Sequence, residues 1–298
     1  MKPIRSLFDT LLSFVLLQRR HLILFFNGFI LATLCYFYIE DNYESQLFTA
    51  LSHRATSMTG SENPSKTQLA KSSLALTYEL GQSRRDIFNK EEISSFKSDV
   101  ISPVTYDLLS TKGACGSYSM ILSRMLQSQG IDYRVAQMKV GDDYGAHILV
   151  EAELEGRWVV LDPSYNLYFT RPDGKMASFT EVSNDWAYYQ KQVPQQYDLK
   201  YQYEGVRYTN WNKIPVVMPF LKQVLSFFIG EEAADTFSFR TLILRKFHAL
   251  FIGTLIIYLI SLLLIIRRQI RLHASRMSLD PTLLFPKKSE RSTTLSSV

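Results

Sequence analysis

Cysteine is scarce. The 298 residues hold two, Cys35 and Cys115, and no CxxC pair. A disulfide-framework fold and a structural zinc ribbon are therefore excluded. Charged residues make up 20% against 46% hydrophobic, which excludes general disorder. Internal repeats are lacking. So is any EF-hand-like or clustered acidic loop, and Asp142-Asp143 reads as a turn. No metal and no cofactor is expected. The length leaves room for one ordinary domain plus extra elements.

Apolar residues gather at the two ends. Residues 22–39 and 249–266 are uncharged runs of 18 residues each, and a membrane span needs about 17–25. A signal peptide would have a shorter apolar region and a small-residue cleavage site. The first run instead ends in Tyr36-Phe37-Tyr38-Ile39-Glu40, an aromatic belt that suits a retained anchor. Lys2, Arg5, Arg19 and Arg20 precede it, whereas Glu40, Asp41 and Glu44 follow. Arg267, Arg268, Arg271, Arg276, Lys287, Lys288 and Arg291 follow the second run. Lys and Arg concentrate on cytoplasmic flanks. Both termini are thus expected in the cytoplasm, in the cytoplasmic (inner) membrane, with residues 40–248 outside. That middle holds 22 basic and 25 acidic residues, so the chain's net +5 comes from its tails. The balance is a topology signal, and no nucleic-acid partner is expected.

The expected organisation is a cytoplasmic segment 1–21, a span 22–39, an outer domain 40–248, a span 249–266 and a basic tail 267–298. Residues 1–18 could lie along the membrane surface through Leu7, Leu11 and Val15, and 277–298 read as disordered. Residues 214–230 are apolar, but Pro215, Pro219 and Lys222 argue against a third span. They read as an interfacial helix or a buried cover.

Within the outer domain, Gln46–Met58 is amphipathic. A second helix is predicted from Ser65 to Gly81, capped by Ser65. A third opens after Gly113-Ala114-Cys115 and closes at Gly130. Then Ile131–Val140, Ala146–Glu153 and Arg157–Leu161 read as strands, the last two joined by a tight turn at Glu155-Gly156. Helices followed by an antiparallel sheet indicate an α+β fold. Glu151 reads as a solvated strand residue and Trp158 as core packing. Residues 164–213 are rich in tyrosine, among them Tyr165, Tyr197, Tyr201 and Tyr203. They form either a loop-rich cover over the sheet or an aromatic wall facing a sugar or extended peptide.

Cys115 is the sole cysteine of the outer domain. A lone exported thiol is either an inert buried hydrophobe or a reactive group. Its place at a helix start favours reactivity, because free N–H donors and the helix dipole stabilise a thiolate. The same donors could hold an oxyanion, with Tyr106 and Thr111 as weak candidates for a second one. A thiol nucleophile needs a base. Of five histidines, His21 and His273 lie on the cytoplasmic side and His248 at a membrane edge, leaving His53 and His147. Hairpin arithmetic then brings in Asp162. If Leu154 pairs with Arg157, Asp162 faces Leu149, and His147 lies diagonally from it on the same face. A carboxylate there can fix the imidazole tautomer, and a one-residue slip would separate the two.

The segments Gly113-Ala114-Cys115-Gly116-Ser117-Tyr118, Gly130-Ile131-Asp132-Tyr133-Arg134-Val135, His147-Ile148-Leu149-Val150-Glu151 and Gly156-Arg157-Trp158-Val159-Val160-Leu161-Asp162-Pro163 resemble the transglutaminase-like superfamily, over about residues 65–170. The resemblance implies a papain-like α+β core flanked by the two membrane helices. It also implies Cys115 as nucleophile, His147 as general base and acid, and Asp162 as orienting carboxylate. Leu149 departs from the aromatic residue common in that position. The implied activity is thiol-dependent acyl transfer on a protein or peptide amide, by a cysteine peptidase, an amidase or a transglutaminase. The alternative is a non-catalytic binding module partnered with envelope or surface-polysaccharide assembly proteins. An arylamine N-acetyltransferase-like carrier is a third reading.

Overall fold

Glycine and proline decide how far the first helix runs. Residues 29–58 contain neither, and α1 is one unbroken helix, Lys2–Met58. The stretches 2–21, 22–39 and 46–58, separate in sequence character, are therefore continuous in backbone. The computed structural model describes residues 2–88, 95, 97–109, 114–242 and 244–279. Gly113, Thr111 and the tail from residue 280, with Lys287, Lys288 and Arg291, lie outside the described residues. Two helical stretches are long and apolar enough to cross a membrane, His21–Met58 within α1 and Lys246–Arg271 within α10 (Lys246–Leu279). Residues 38–249 form one compact unit, and the described parts of 1–37 and 250–298 form another. In the second, Ser261 Oγ donates to Asn27 Oδ1 at 3.0 Å.

In the 38–249 unit the order after α1 is α2 (Lys66–Phe88), α3 (Val104–Asp107), α4 (Ala114–Ser128), β1 (Tyr133–Val140), β2 (Asp143–Leu154), β3 (Arg157–Asp162) and β4 (Leu167–Tyr168). There follow α5 (Phe179–Asn184), α6 (Trp186–Tyr189), β5 (Val206–Arg207), α7 (Val217–Ile229), α8 (Glu231–Asp235) and α9 (Phe239–Leu242). Ser65 caps α2 as its sequence predicts. Its Oγ accepts from the Gln68 N–H at 3.2 Å, and Gln68 Oε1 accepts from the Ser65 N–H at 2.8 Å. The helix does not stop at Gly81 but continues to Phe88. Gly81 serves close approach instead, since a Cβ there would sit 1.9 Å from the buried Tyr118 ring of α4.

Helix α4 ends in a Schellman motif. Gly130 has φ +66°, the Ile131 N–H donates to the Leu126 carbonyl, and the Gly130 N–H donates to that of Gln127. The chain then turns into an antiparallel sheet of order β4-β3-β2-β1-β5. Positive φ at both Glu155 and Gly156 (56° and 74°) makes the β2–β3 connection a type I′ turn. The register is the one the two-residue loop demands, Leu154 opposite Arg157 through Val150 opposite Leu161.

Side-chain alternation then sorts the sheet's two faces. Val150, Ala152, Val159 and Leu161 pack with Ala70, Leu74, Leu122 and Leu126 of α2 and α4. Ala136, Met138, Leu149 and Val160 face the other way and pack under Phe169, Tyr189, Tyr197 and Tyr203. The second half of α1 adds Phe48 and Ala55 to a third cluster with Ile121 and Met125. There Glu44 of α1 lies 3.3 Å from Arg124 of α4, both nearly fully buried.

Candidate active site

Cys115 is the second residue of α4, so it sits among that helix's unpaired N–H groups. Two side-chain contacts hold the start of α4. Arg84 of α2 donates to Ser117 Oγ at 2.7 Å and to the Asp107 carbonyl. Ser119 Oγ donates to the Ile148 carbonyl of β2 at 2.9 Å. The sequence explains why the Ile148 carbonyl is free for α4. Run one pair further, the β2–β3 register sets Ile148 opposite Pro163, beyond the last strand pair, and proline has no N–H to offer that carbonyl, which accepts from Ser119 instead. The ladder ends there, and the first turn of α4 occupies the position.

One residue earlier is His147. Beside it Gly145 and Ala146 form a bulge, because Met138 pairs with His147 while Lys139 pairs with Tyr144. Gly145 has φ +94°, a conformation that favours glycine. His147 and Asp162 share the tyrosine-side face of the sheet. His147 Nε2 and Asp162 Oδ2 are 2.7 Å apart, with both residues 1% exposed. The other carboxylate oxygen of Asp162 accepts from the Ser164 N–H at 3.0 Å. Tyr201 stacks on the imidazole, with ring centroids 4.2 Å apart and planes 12° from parallel. Its carbonyl is held by the Tyr197 hydroxyl at 3.0 Å.

The electrostatics pull in one direction. Burial disfavours a charged His147, but the Asp162 carboxylate outweighs it and, with Cys115, raises the imidazole to about 9. Burial likewise raises the Cys115 thiol. The His147 ring and the N–H groups of Ile148 and Gly116 oppose this and leave the thiol below its ordinary value. Both directions favour the thiolate–imidazolium form over the neutral pair. The Cys115–His147 contact is looser than the His147–Asp162 bond. Among the described residues, Nδ1 makes no well-aligned hydrogen bond, as is common in sites without substrate. Cys115 itself is half-buried.

The sequence-predicted residues Cys115, His147 and Asp162 are thus neighbours. Tyr106 is not among them. It lines a separate cavity of about 430 Å³ with Tyr43, Leu47 and Pro103. Glu151 corrects an expectation. It is 2% exposed rather than solvated, paired with Arg134 at 2.6 Å and accepting from the Tyr208 hydroxyl at 2.6 Å. Trp158 is half-buried under the Arg134 guanidinium, 4.3 Å from its ring centroid. The tyrosine segment is mostly cover, with Tyr189, Tyr197, Tyr203 and Tyr208 in the core and Tyr165 and Tyr201 against His147. Tyr201 lies 54 residues after His147 in the chain, and only the alternation rule, which faces His147 toward that segment, hints at the contact.

No curated protein and no solved structure matches the chain. A family model for the transglutaminase-like superfamily matches residues 55–163, a span that contains Cys115 and His147 and ends one residue after Asp162. The mixed helical and antiparallel architecture and the spacing of that span agree, and residues 55–163 are a transglutaminase-like superfamily domain.

Proposed function

We propose that this chain is a membrane-anchored, thiol-dependent acyl-transfer enzyme with Cys115 as nucleophile, His147 as general acid and base, and Asp162 as orienting carboxylate. The Cys115 thiolate attacks an amide carbonyl carbon. The Ile148 and Gly116 N–H groups, which favour the thiolate, are the backbone donors assigned to the developing oxyanion. The C–N bond breaks, the leaving amine takes the His147 proton, and a thioester forms on Sγ. Neutral His147 then accepts a proton from water or an amine as that group attacks, and the thiolate and imidazolium are restored. Water as acceptor makes the protein a peptidase or amidase; an amine makes it a transglutaminase.

The observation carrying this reading is the 2.7 Å His147–Asp162 bond directly beside a thiol at a helix start. Incubation with a peptide amide library should leave a mass adduct on Cys115 that hydroxylamine removes, and Cys115→Ser should abolish it. A library that never loads Cys115, in a protein whose thiol is accessible, would favour the second reading. That reading is a non-catalytic module for envelope or surface-polysaccharide assembly, and it draws on the burial of His147 and Asp162 beneath Tyr201.

The proposal includes topology: an inner-membrane protein with both termini cytoplasmic and the 40–248 domain outside, supported by the Lys/Arg excess in both tails. Helix α7 suits an interfacial position, since Phe220, Phe227 and Phe228 are 61%, 84% and 76% exposed. A reporter fused after Val298 should then be active only in its cytoplasmic form; an external signal would reverse the topology.

A further inference from the structure

Arginine side chains in the outer domain that are partly buried generally hold a carboxylate. Arg134 pairs with Glu151, Arg157 with Glu181, and Arg245 with Asp41. Arg240 breaks the pattern. It is half-buried on α9, yet among the described residues it has no ion pair and no side-chain hydrogen bond. It lines a cavity of about 530 Å³ together with Lys213, Gln137, Met120, Met218 and Leu221. Among the described residues, no acidic side chain lines that cavity.

The cavity draws part of its lining from α4, which carries Cys115, and from β1, which pairs with the strand of His147. Met120 lies on α4 five residues after Cys115, and Gln137 pairs across the sheet with Ile148. Burial lowers the Arg240 pKa, the Cys115 thiolate opposes that shift, and Arg207 adds to it by repulsion. Arg207 is itself held by Gln137 Oε1 at 2.9 Å. The backbone around Arg240 is fixed in place. Ser238 Oγ donates to the Val135 carbonyl at 3.1 Å, and Thr209 Oγ1 donates to the Phe237 carbonyl at 2.6 Å. An unpaired guanidinium carried on an anchored backbone, in a cavity with no acid among its described lining, has the properties of a carboxylate receptor. It also lies outside the matched family span.

We propose that Arg240, assisted by Lys213, forms an anion subsite beside Cys115, so that the favoured acyl donor is an acidic peptide presenting a carboxylate next to the amide under attack. This rests on Cys115 being the nucleophile. The test therefore uses two alkylating reagents that need the same thiolate but differ in charge, iodoacetate and iodoacetamide. The full-length protein, with Cys35→Ser to leave a single thiol, is alkylated by each at one pH. The ratio of the two rate constants cancels the thiolate fraction and reports only the preference for an anion.

The ratio should exceed that of a simple peptide thiol in the same buffer. It should fall about tenfold in Arg240→Gln, the order expected from one nearby unit charge in a partly screened site. Arg240→Lys should retain most of it, Lys213→Gln should lower it by less, and added salt should erode it. A ratio equal to that of the peptide thiol, or one unchanged in Arg240→Gln, overturns the subsite. The two readings fail separately. An ordinary thiol titration would overturn the nucleophile while the ratio still reports the subsite. A low thiol pKa with no reagent preference would overturn the subsite alone.

Discussion

Replacing His147 with alanine should slow iodoacetamide alkylation of Cys115 at pH 6.5 on the order of 100-fold. A thiol with the ordinary pKa of about 8.5 is only about 1% ionised at that pH. In the intact site the imidazolium and the Ile148 and Gly116 N–H groups hold the thiol below its usual value against the effect of burial. Alkylation of the unaltered protein should therefore persist to lower pH than that of the variant. The alkaline side has a separate mark. Because His147 is raised to about 9, the imidazolium persists through neutral pH and is lost only near that value. The profile should show a second inflection there, which belongs to the pair rather than to either group alone. At pH 10 the thiol is ionised with or without its partner, so the variant should then recover most of its rate. That recovery separates loss of charge from loss of the fold. Equal rates at pH 6.5 in the two proteins would sink the ion pair.

Asp162→Asn should lower acyl transfer by about 10³–10⁴, the scale seen when a buried orienting carboxylate is neutralised in Ser-His-Asp enzymes. Its physical basis here is the balance at His147. Burial pushes the imidazole down, and the Asp162 carboxylate, 2.7 Å away, is the largest opposing influence. With that charge gone, burial is resisted only by Cys115. The inflection near pH 9 should move acidic by two units or more, and the ring should be neutral at pH 7.5. The thiol should remain, with a higher pKa, and alkylation at pH 6.5 should slow while alkylation at pH 10 should not. An alkaline inflection that stays near 9 in Asp162→Asn would show that the carboxylate does not hold the imidazolium.

Much of the site was legible because its parts are short-range consequences of sequence. The Glu155-Gly156 loop sets the β2–β3 register, and that register alone places His147 diagonal to Asp162. Gly130 ends α4 where a C′ glycine should, which fixes the length of the helix carrying Cys115. The misreadings came from partners far along the chain. Gly81 reads as a stop because glycine lowers helix propensity, but the Tyr118 ring requires its missing side chain. Glu151 reads as solvated because nothing local shows that Arg134 and Tyr208 converge on it.

Sequence by itself determined the two apolar helices, the α+β order, the Cys115 helix start and the hairpin that joins His147 to Asp162. Each rests on periodicity, turn chemistry or charge within a few residues, which the chain carries locally. The tertiary structure decided what meets the site from elsewhere: the Ile148 carbonyl that Pro163 leaves to Ser119, the Tyr201 ring stacked on His147, and the unpaired Arg240 in its cavity. Those depend on which face of the sheet each segment covers. Packing sets that choice over tens of residues, beyond the reach of any local pattern.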